Sequence, residues 1–397
     1  MDYPKHRTIV NFDDTSIAFA RLSTPKLRKT YAIFALMNQN SLVKVGTFFI
    51  KFALDKGLPI KKMIKNTIFN QFCGGETIEE CQNAIDSLAS AGVGTILDYS
   101  VEGEDDERVF DSTLQELQLT IHRASQQPEK IPFAVFKVTG LISTPLLEKV
   151  QKREVLTSIE TEAYARGVQR IDTLCALAAQ KNVRLFFDAE ESWIQDTIDS
   201  LCYEQMAKHN QNKRLIIYNT YQMYRTASLE NYKSAVQKGT EHGYTVGAKL
   251  VRGAYLEKER NRAAAMQYLD PMQKTKENTD RDFNESVRFS IENIDQVGIC
   301  LGTHNEASCQ LCVDLMDDFG IEAQDKRIYF AQLLGMSDNI SFTLAKLGYN
   351  VAKYVPYGPV EAVMPYLFRR AEENTSISGQ SSREFLLVKK EMKRRKS

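Results

Sequence analysis

TSIETEAYARGVQRIDTLCALAAQKNVRLFFDAE, residues 157–190, changes its period partway along. Up to Asn182 the apolar residues recur every three or four positions, the spacing of an amphipathic helix. From Val183 the texture becomes a short apolar and aromatic run that ends on Asp188 and Glu190. A run of the same kind, FAVFKVTG (133–140), precedes the helix. Strand, helix and strand in that order predict two parallel strands joined by a helical crossover.

Six further runs extend the pattern: VGTILDYS (93–100), RLIIYNTY (214–221), TVGAKLVRG (245–253), VGICLGTH (297–304), RIYFAQLLG (327–335) and NVAKYVPYG (350–358). Helical stretches such as SLENYKSAVQKGTEHG (228–243) separate them. Eight such units suit an α/β fold, a (βα)8 TIM-type barrel, over residues 91–397. Residues 1–90 read as an N-terminal helical arm or cap outside it. Its helices are SIAFARLSTPKLRKTYAIFALM, SLVKVGTFFIKFALDKG and TIEECQNAIDSLASAG.

The 397 residues carry 51 Lys+Arg against 51 Asp+Glu, a balance that gives no support to a nucleic-acid-binding chain. Seven cysteines and a start lacking a secretory or Arg-rich transit pattern predict reduced thiols in a cytosol-like compartment. Cys309 and Cys312 have a CxxC spacing, but in a helical stretch without a second pair they read as two buried helix cysteines. The five histidines are scattered, so no metal site is expected. No run of about 18 apolar residues offers a membrane span.

In a barrel of this class chemistry gathers where the strands end. Those ends hold Asp98 and Glu102, Lys137, Asp188 and Glu190, Asn219 and Gln222, Lys249, Arg252 and Tyr255, then Thr303, His304 and Asn305, Gln332, and Tyr354. Lys249, Arg252 and the backbone of Gly253 and Ala254 suit phosphates, while the amides, Thr303 and His304 suit a heterocycle. Neither GxGxxG nor GxxxxGK[ST] is present, so a nucleotide here is not held in a Rossmann or P-loop manner. Downstream, YLFRRAEENTSISG (366–379) sets Arg369 beside Arg370. Two guanidiniums near a helix start would converge on one small anion such as a carboxylate.

The stretches LDYSVE, FKVTG, FFDAEES, YNTYQMY, KLVRGAYLEKER, GTHNE, QLLGM and KYVPYGPVEAVMPYLFRRAEENTSISG run in order from residue 93 to about 380. With them the chain resembles the proline dehydrogenases, closer in phrasing to the monofunctional, eukaryotic-type branch than to the bifunctional bacterial proteins. The resemblance implies a distorted (βα)8 barrel, FAD as cofactor, and oxidation of L-proline to Δ1-pyrroline-5-carboxylate with electrons passed to a membrane quinone. It implies that Arg369, Arg370 and Lys137 meet the substrate carboxylate. Tyr354, Tyr255 and Leu333 would enclose the ring, Asp188 would orient Tyr354, and Glu102 would pair with Arg370. It assigns Asn219, Lys249, Arg252, Gly253, Ala254, Thr303, His304, Asn305, Gln332 and Glu373 to FAD. Lys249 stands where the bacterial branch has arginine, and Leu256 where it has tryptophan. A separate pyrroline-5-carboxylate dehydrogenase would take the product. The implied location is the cytoplasm, peripheral on the inner membrane, or the mitochondrial matrix side for a processed eukaryotic chain.

Three rival readings remain on the sequence: hydroxyproline oxidation, a Schiff-base aldolase using Lys137 or Lys249, and a non-enzymatic scaffold. Tyr354 favours proline over hydroxyproline. The basic tail REFLLVKKEMKRRKS reads as a packed terminal helix, with membrane-surface contact as its alternative.

Overall fold

A computed structural model describes residues 7–100, 106–374 and 382–396. Eight parallel strands close a barrel in chain order: β1 Val93–Tyr99, β2 Phe133–Phe136, β3 Arg184–Phe187, β4 Ile217–Gln222, β5 Val246–Val251, β6 Val297–Gly302, β7 Ile328–Leu333 and β8 Val351–Tyr357. All eight expected runs are strands. β8 closes on β1, with Tyr354 opposite Ile96.

The opening stretch shows how the units are cut. Thr157 and Glu160 form a capping box that starts the helix Ser158–Lys181. Asn182 ends it in the left-handed region, at φ 53°. The chain is thereby turned straight into β3.

The strand period of two then decides what points inward. Phe133 and Val135, Phe186, Tyr218, Tyr329 and Ala331, Ile96, Ala352 and Tyr354 form one cluster inside the barrel. Phe133 stacks on Phe186 at 4.4 Å between centroids, and Phe186 on Tyr354 at 6.4 Å. Burying each such ring stabilises the fold by about 1.5–3 kcal/mol. One step further along the same parity lie Lys137 on the β2 line and Asp188 on the β3 line. Core packing and site chemistry thus share one register.

A larger apolar shell joins the outer strand faces to the surrounding helices. A third core belongs to the arm, and its make-up was not foreseen. Leu27, Phe34, Ile64, Phe69 and Phe72 pack with Val363, Met364 and Leu367 of the helix Val360–Glu373, and with Leu387 and Val388 of the C-terminal helix Arg383–Arg394. The arm and the last two helices are therefore one layer.

The arm helices also differ in detail. The first expected stretch is two helices, Thr15–Ala18 and Thr24–Met37, because Ser23 caps the second and proline occupies its first turn. The second expected helix is present as Asn40–Asp55. Lys61–Ile64 passes through a π-helical turn, Lys65–Phe69, into Asn70–Phe72, a segment the apolar spacing did not mark. The TIEECQ stretch becomes helical only from Gln82. Gly335, at φ 75°, ties the arm to the loop after β7. A side chain there would collide with the backbone oxygen of Gln71.

The tail follows the packed reading, since Leu387 and Val388 are buried. Its basic end is not solvated throughout: Arg395 donates to the carbonyls of Leu22 and Phe19 at 2.7 Å each. Cys309 and Cys312 are buried on the helix Glu306–Asp318. Among the described residues no helix is long and apolar enough to cross a membrane.

Candidate active site

At the C-terminal mouth of the barrel, four inward side chains from four strand lines form one network. Lys137 donates to Asp188 Oδ2 at 2.8 Å, and Lys249 donates to Asp188 Oδ1. Lys249 also donates to the Tyr354 hydroxyl at 2.6 Å. Its ammonium lies 4.7 Å from the Tyr354 ring centre and 5.2 Å from that of Phe186.

Burial alone would raise the Asp188 pKa, but the ammonium groups of Lys137 and Lys249 overcome it and hold the carboxyl well below the usual range. Tyr354 is pushed the other way, by burial and then by the charge of Asp188. Two cations and a neutral phenol are therefore fixed around one carboxylate. Both lysine ammoniums are tied to the Asp188 carboxylate.

The helix Val360–Glu373 follows β8 and packs with Leu333 at the end of β7 and Met336 just beyond it, so it roofs the mouth. Arg369 and Arg370 lie toward its C-terminal end, not near its start, which corrects that part of the sequence reading. Arg370 is buried, at 5% exposure, and donates to Glu373 Oε1 at 2.5 Å. Its Nε has no hydrogen-bond partner among the described residues. A buried guanidinium N–H left in that state calls for an acceptor. Glu102, expected to pair with Arg370, lies outside the described residues. Leu333 packs against both the roof core and the barrel interior, on β7 opposite Tyr354. Tyr255 is partly exposed at the start of the helix Leu256–Met266.

A second group lines the β5–β6 side. Arg252 donates through Nε to Asp280 at 2.6 Å, and through its terminal nitrogens to Thr303 Oγ1 at 2.7 Å and Ser308 Oγ at 2.9 Å. With five N–H donors, that leaves one on each terminal nitrogen. Next to it the backbone of Gly253 and Ala254 is exposed. Gly253 has φ 131°, and a Cβ there would come within 2.6 Å of the Tyr224 ring. Thr303 Oγ1 also accepts from the Asn305 N–H at 3.1 Å, and the Asn305 side chain caps the following helix by accepting from Ser308 N at 3.0 Å.

His304 Nδ1 is bonded to Ser337 Oγ at 2.8 Å. Burial, then the charges of Lys353, Arg370 and Arg252, push His304 down to about 3, so it is a neutral imidazole. Ser337 in turn donates its N–H to Glu384 Oε1 at 2.8 Å. Burial raises Glu384 to about 7.

Asn219 and Gln332 have the opposite strand parity and are not brought into the lysine–aspartate network. Asn219 donates to Asp199 at 2.9 Å. Gln332 donates to the Thr303 carbonyl at 3.1 Å and accepts from Ser341 at 2.8 Å. Glu190 accepts from Thr139 N at 3.0 Å, and burial raises it to about 7.

Sequence reasoning missed Lys353, Ser337, Glu384 and Asp280. Lys353 is fully buried, donating to Asp338 at 2.7 Å and to the carbonyls of Met336 and Leu333. A lysine inside an apolar strand run was a signal available for it.

Three comparisons place this geometry. The proline dehydrogenase family model matches residues 81–383. Proline dehydrogenase 1, mitochondrial, of Dictyostelium discoideum is 32% identical, covering 96% of this chain and 74% of that protein. The carbapenem antibiotics biosynthesis protein CarD of Pectobacterium carotovorum is also 32% identical, covering 96% and 98% respectively. Among solved structures, proline utilization A (PutA) from Bdellovibrio bacteriovorus, inactivated by N-propargylglycine, superposes with a TM-score of 0.73 at 20% identity. That match covers 94% of this chain and 40% of the PutA chain, and it speaks to the fold. The family model spans most of the chain and the curated relatives agree with it: the chain belongs to the proline dehydrogenase family.

Proposed function

We propose that the protein oxidises L-proline to Δ1-pyrroline-5-carboxylate with FAD as its cofactor and delivers the electrons to a membrane quinone. The observation that carries this reading is the Lys137–Asp188–Lys249–Tyr354 network beneath a buried arginine whose Nε has no acceptor among the described residues. The donor set fits FAD. Arg252 with its two remaining N–H groups, beside the open backbone of Gly253 and Ala254, suits the diphosphate; Lys249 suits the flavin ring. His304, Thr303 and Asn305 border the same side. Bound FAD supplies the hydride acceptor.

The chain's own residues bind, orient and set the charge. Arg369 and Arg370 hold the substrate carboxylate from the roof, with Lys137 facing it from the rim. Tyr354, Leu333 and Tyr255 flank the ring and fix its approach. Hydride leaves the carbon beside nitrogen only when that nitrogen carries a free lone pair. The surrounding cations disfavour a cationic amine and so favour the reactive form. Lys249 stabilises negative charge developing next to it, and Asp188 keeps that ammonium in place before substrate arrives. Glu373 holds Arg370 in its rotamer.

The product passes to a separate dehydrogenase, and the protein works at a membrane surface where its quinone resides. The test is a deoxygenated absorbance spectrum before and after L-proline. Flavin bands that bleach with proline, and less with trans-4-hydroxy-L-proline, support the reading. A protein that retains no flavin, or flavin indifferent to proline, overturns it.

A further inference from the structure

Eight of the exposed large apolar residues fall between positions 36 and 63, and they centre on the arm helix Asn40–Asp55. One side of this helix packs on Thr24–Met37 and on the roof helix. The other side presents Leu42, Val45, Phe48, Phe49 and Phe52, which are 46–67% exposed. At 100° per residue these five fall within an arc of about 120°. A soluble surface seldom spends three phenylalanines this way. Leu36, Leu58 and Met63 add exposed apolar surface on the flanking segments.

Charge narrows the choice of what covers the face. Between residues 36 and 63 the sequence has Lys44, Lys51, Lys56, Lys61 and Lys62 against one acid, Asp55. Lys44 and Lys51 border the apolar arc on one side. A second copy of the chain, paired about a two-fold axis, would set this lysine-rich face against itself. An anionic lipid surface instead takes both parts: rings enter the acyl boundary and ammoniums meet headgroup phosphates.

We propose that the helix Asn40–Asp55 is a membrane dock that lies in the plane of an anionic bilayer, with Phe48, Phe49 and Phe52 inserted and Lys44, Lys51 and Lys56 on the headgroups. The inference rests on the membrane-surface part of the proposed function and is tested separately from its proline-oxidising part, because lipid binding is measured without turnover. It has a consequence for orientation. Lys61 is ion-paired with Glu361 of the roof helix, and the Lys51 ammonium lies 5.1 Å from the Phe368 ring beside Arg369. A docked molecule therefore holds its roof helix, and the site under it, close to the bilayer.

The test is co-sedimentation of the whole protein with vesicles of phosphatidylcholine, with and without phosphatidylglycerol. Wild type should sediment with the anionic vesicles and be released by salt. The triple variant Phe48→Ser, Phe49→Ser, Phe52→Ser should partition at least about tenfold less while keeping its melting temperature, because those rings are exposed. Lys44→Gln with Lys56→Gln should lose several-fold. Phe49→Trp adds a second tryptophan to Trp193, the chain's only one. Its emission should shift blue on vesicle addition and be quenched by brominated lipid, whereas wild-type emission should not. Three results would each overturn the proposal: no anionic-vesicle binding by wild type, equal binding by the triple variant, or a wild-type dimer that the triple variant converts to monomer.

Discussion

Lys249 and Arg370 are both buried cations at the same mouth, yet the molecule holds them in opposite ways. Lys249 on β5 is bonded on two sides, to Asp188 after β3 and Tyr354 on β8, so it reaches across the mouth of a closed barrel. Arg370 leans on Glu373, one turn away in its own helix, and its Nε has no hydrogen-bond partner among the described residues. Among the described residues the rim pairs within itself, whereas the roof keeps one donor open. Under the proposed function, the rim would set the rate of chemistry and the roof the affinity for the substrate anion.

Asp188→Asn should have the largest effect. It takes the Asp188 charge away from the buried Lys249 and the partly buried Lys137, costing about 3–5 kcal/mol in urea denaturation. It should also lower the limiting rate of flavin reduction by roughly 10²–10³-fold. Arg370→Met should raise KM for proline by roughly 10²-fold with a much smaller change in kcat, since it removes a charged contact to the carboxylate. If both variants changed kcat and KM alike, the division between rim and roof would fail.

Leu387→Ala probes the shared layer far from either site. A cavity among the arm, roof and tail should cost about 2–5 kcal/mol by denaturant melting. Leu386→Ala, at a 51% exposed neighbour, should stay within about 0.5 kcal/mol.

The pH dependence sharpens the contrast further. Glu384 is raised to about 7 from 4.5, so between those values the folded state keeps a proton that the unfolded chain releases. Its contribution is therefore present at low pH and is lost as pH rises from about 4.5 to 7. Glu190 acts in the same direction. His304, lowered to about 3 from 6.5, acts oppositely: its contribution is present above 6.5 and is lost as pH falls. Denaturation of Glu384→Gln against pH should show a flatter decline toward pH 7 than wild type, by on the order of 2–3 kcal/mol. A further expected effect is on selectivity. Tyr354→Ser should raise turnover on trans-4-hydroxy-L-proline relative to proline by about tenfold, by opening room for a hydroxyl.

What could be read in advance follows the same division. Lys137, Asp188, Lys249 and Tyr354 stood out because each lies at or near the end of a short strand run, which is a local signal; the structure adds that they share inward parity along β2, β3, β5 and β8. The roof arginines were visible as a pair, but their position along the helix was not. The three-way core of arm, roof and tail joins residues such as Leu27 and Leu387, which no window of sequence contains together. Glu384 lies in the first turn of its helix, and its partner Ser337 is 47 residues away, beyond any local window. The strand-end reading gathered Asn219 and Gln332 with the rest because it ignored parity, which turns both toward the outer helices. The helix through Lys65–Phe69 was missed because its π-helical turn breaks the 3.6-residue spacing on which the reading relied.

Anaerobic stopped-flow reduction of the flavin by L-proline, in wild type, Asp188→Asn and Arg370→Met, tests the central claim most directly. The account predicts rapid saturable bleaching in wild type. It predicts a lowered limiting rate in Asp188→Asn, and a raised half-saturating concentration with a nearly preserved limiting rate in Arg370→Met. Flavin that proline does not reduce, or an Arg370→Met enzyme with unchanged half-saturation and a collapsed rate, would contradict it.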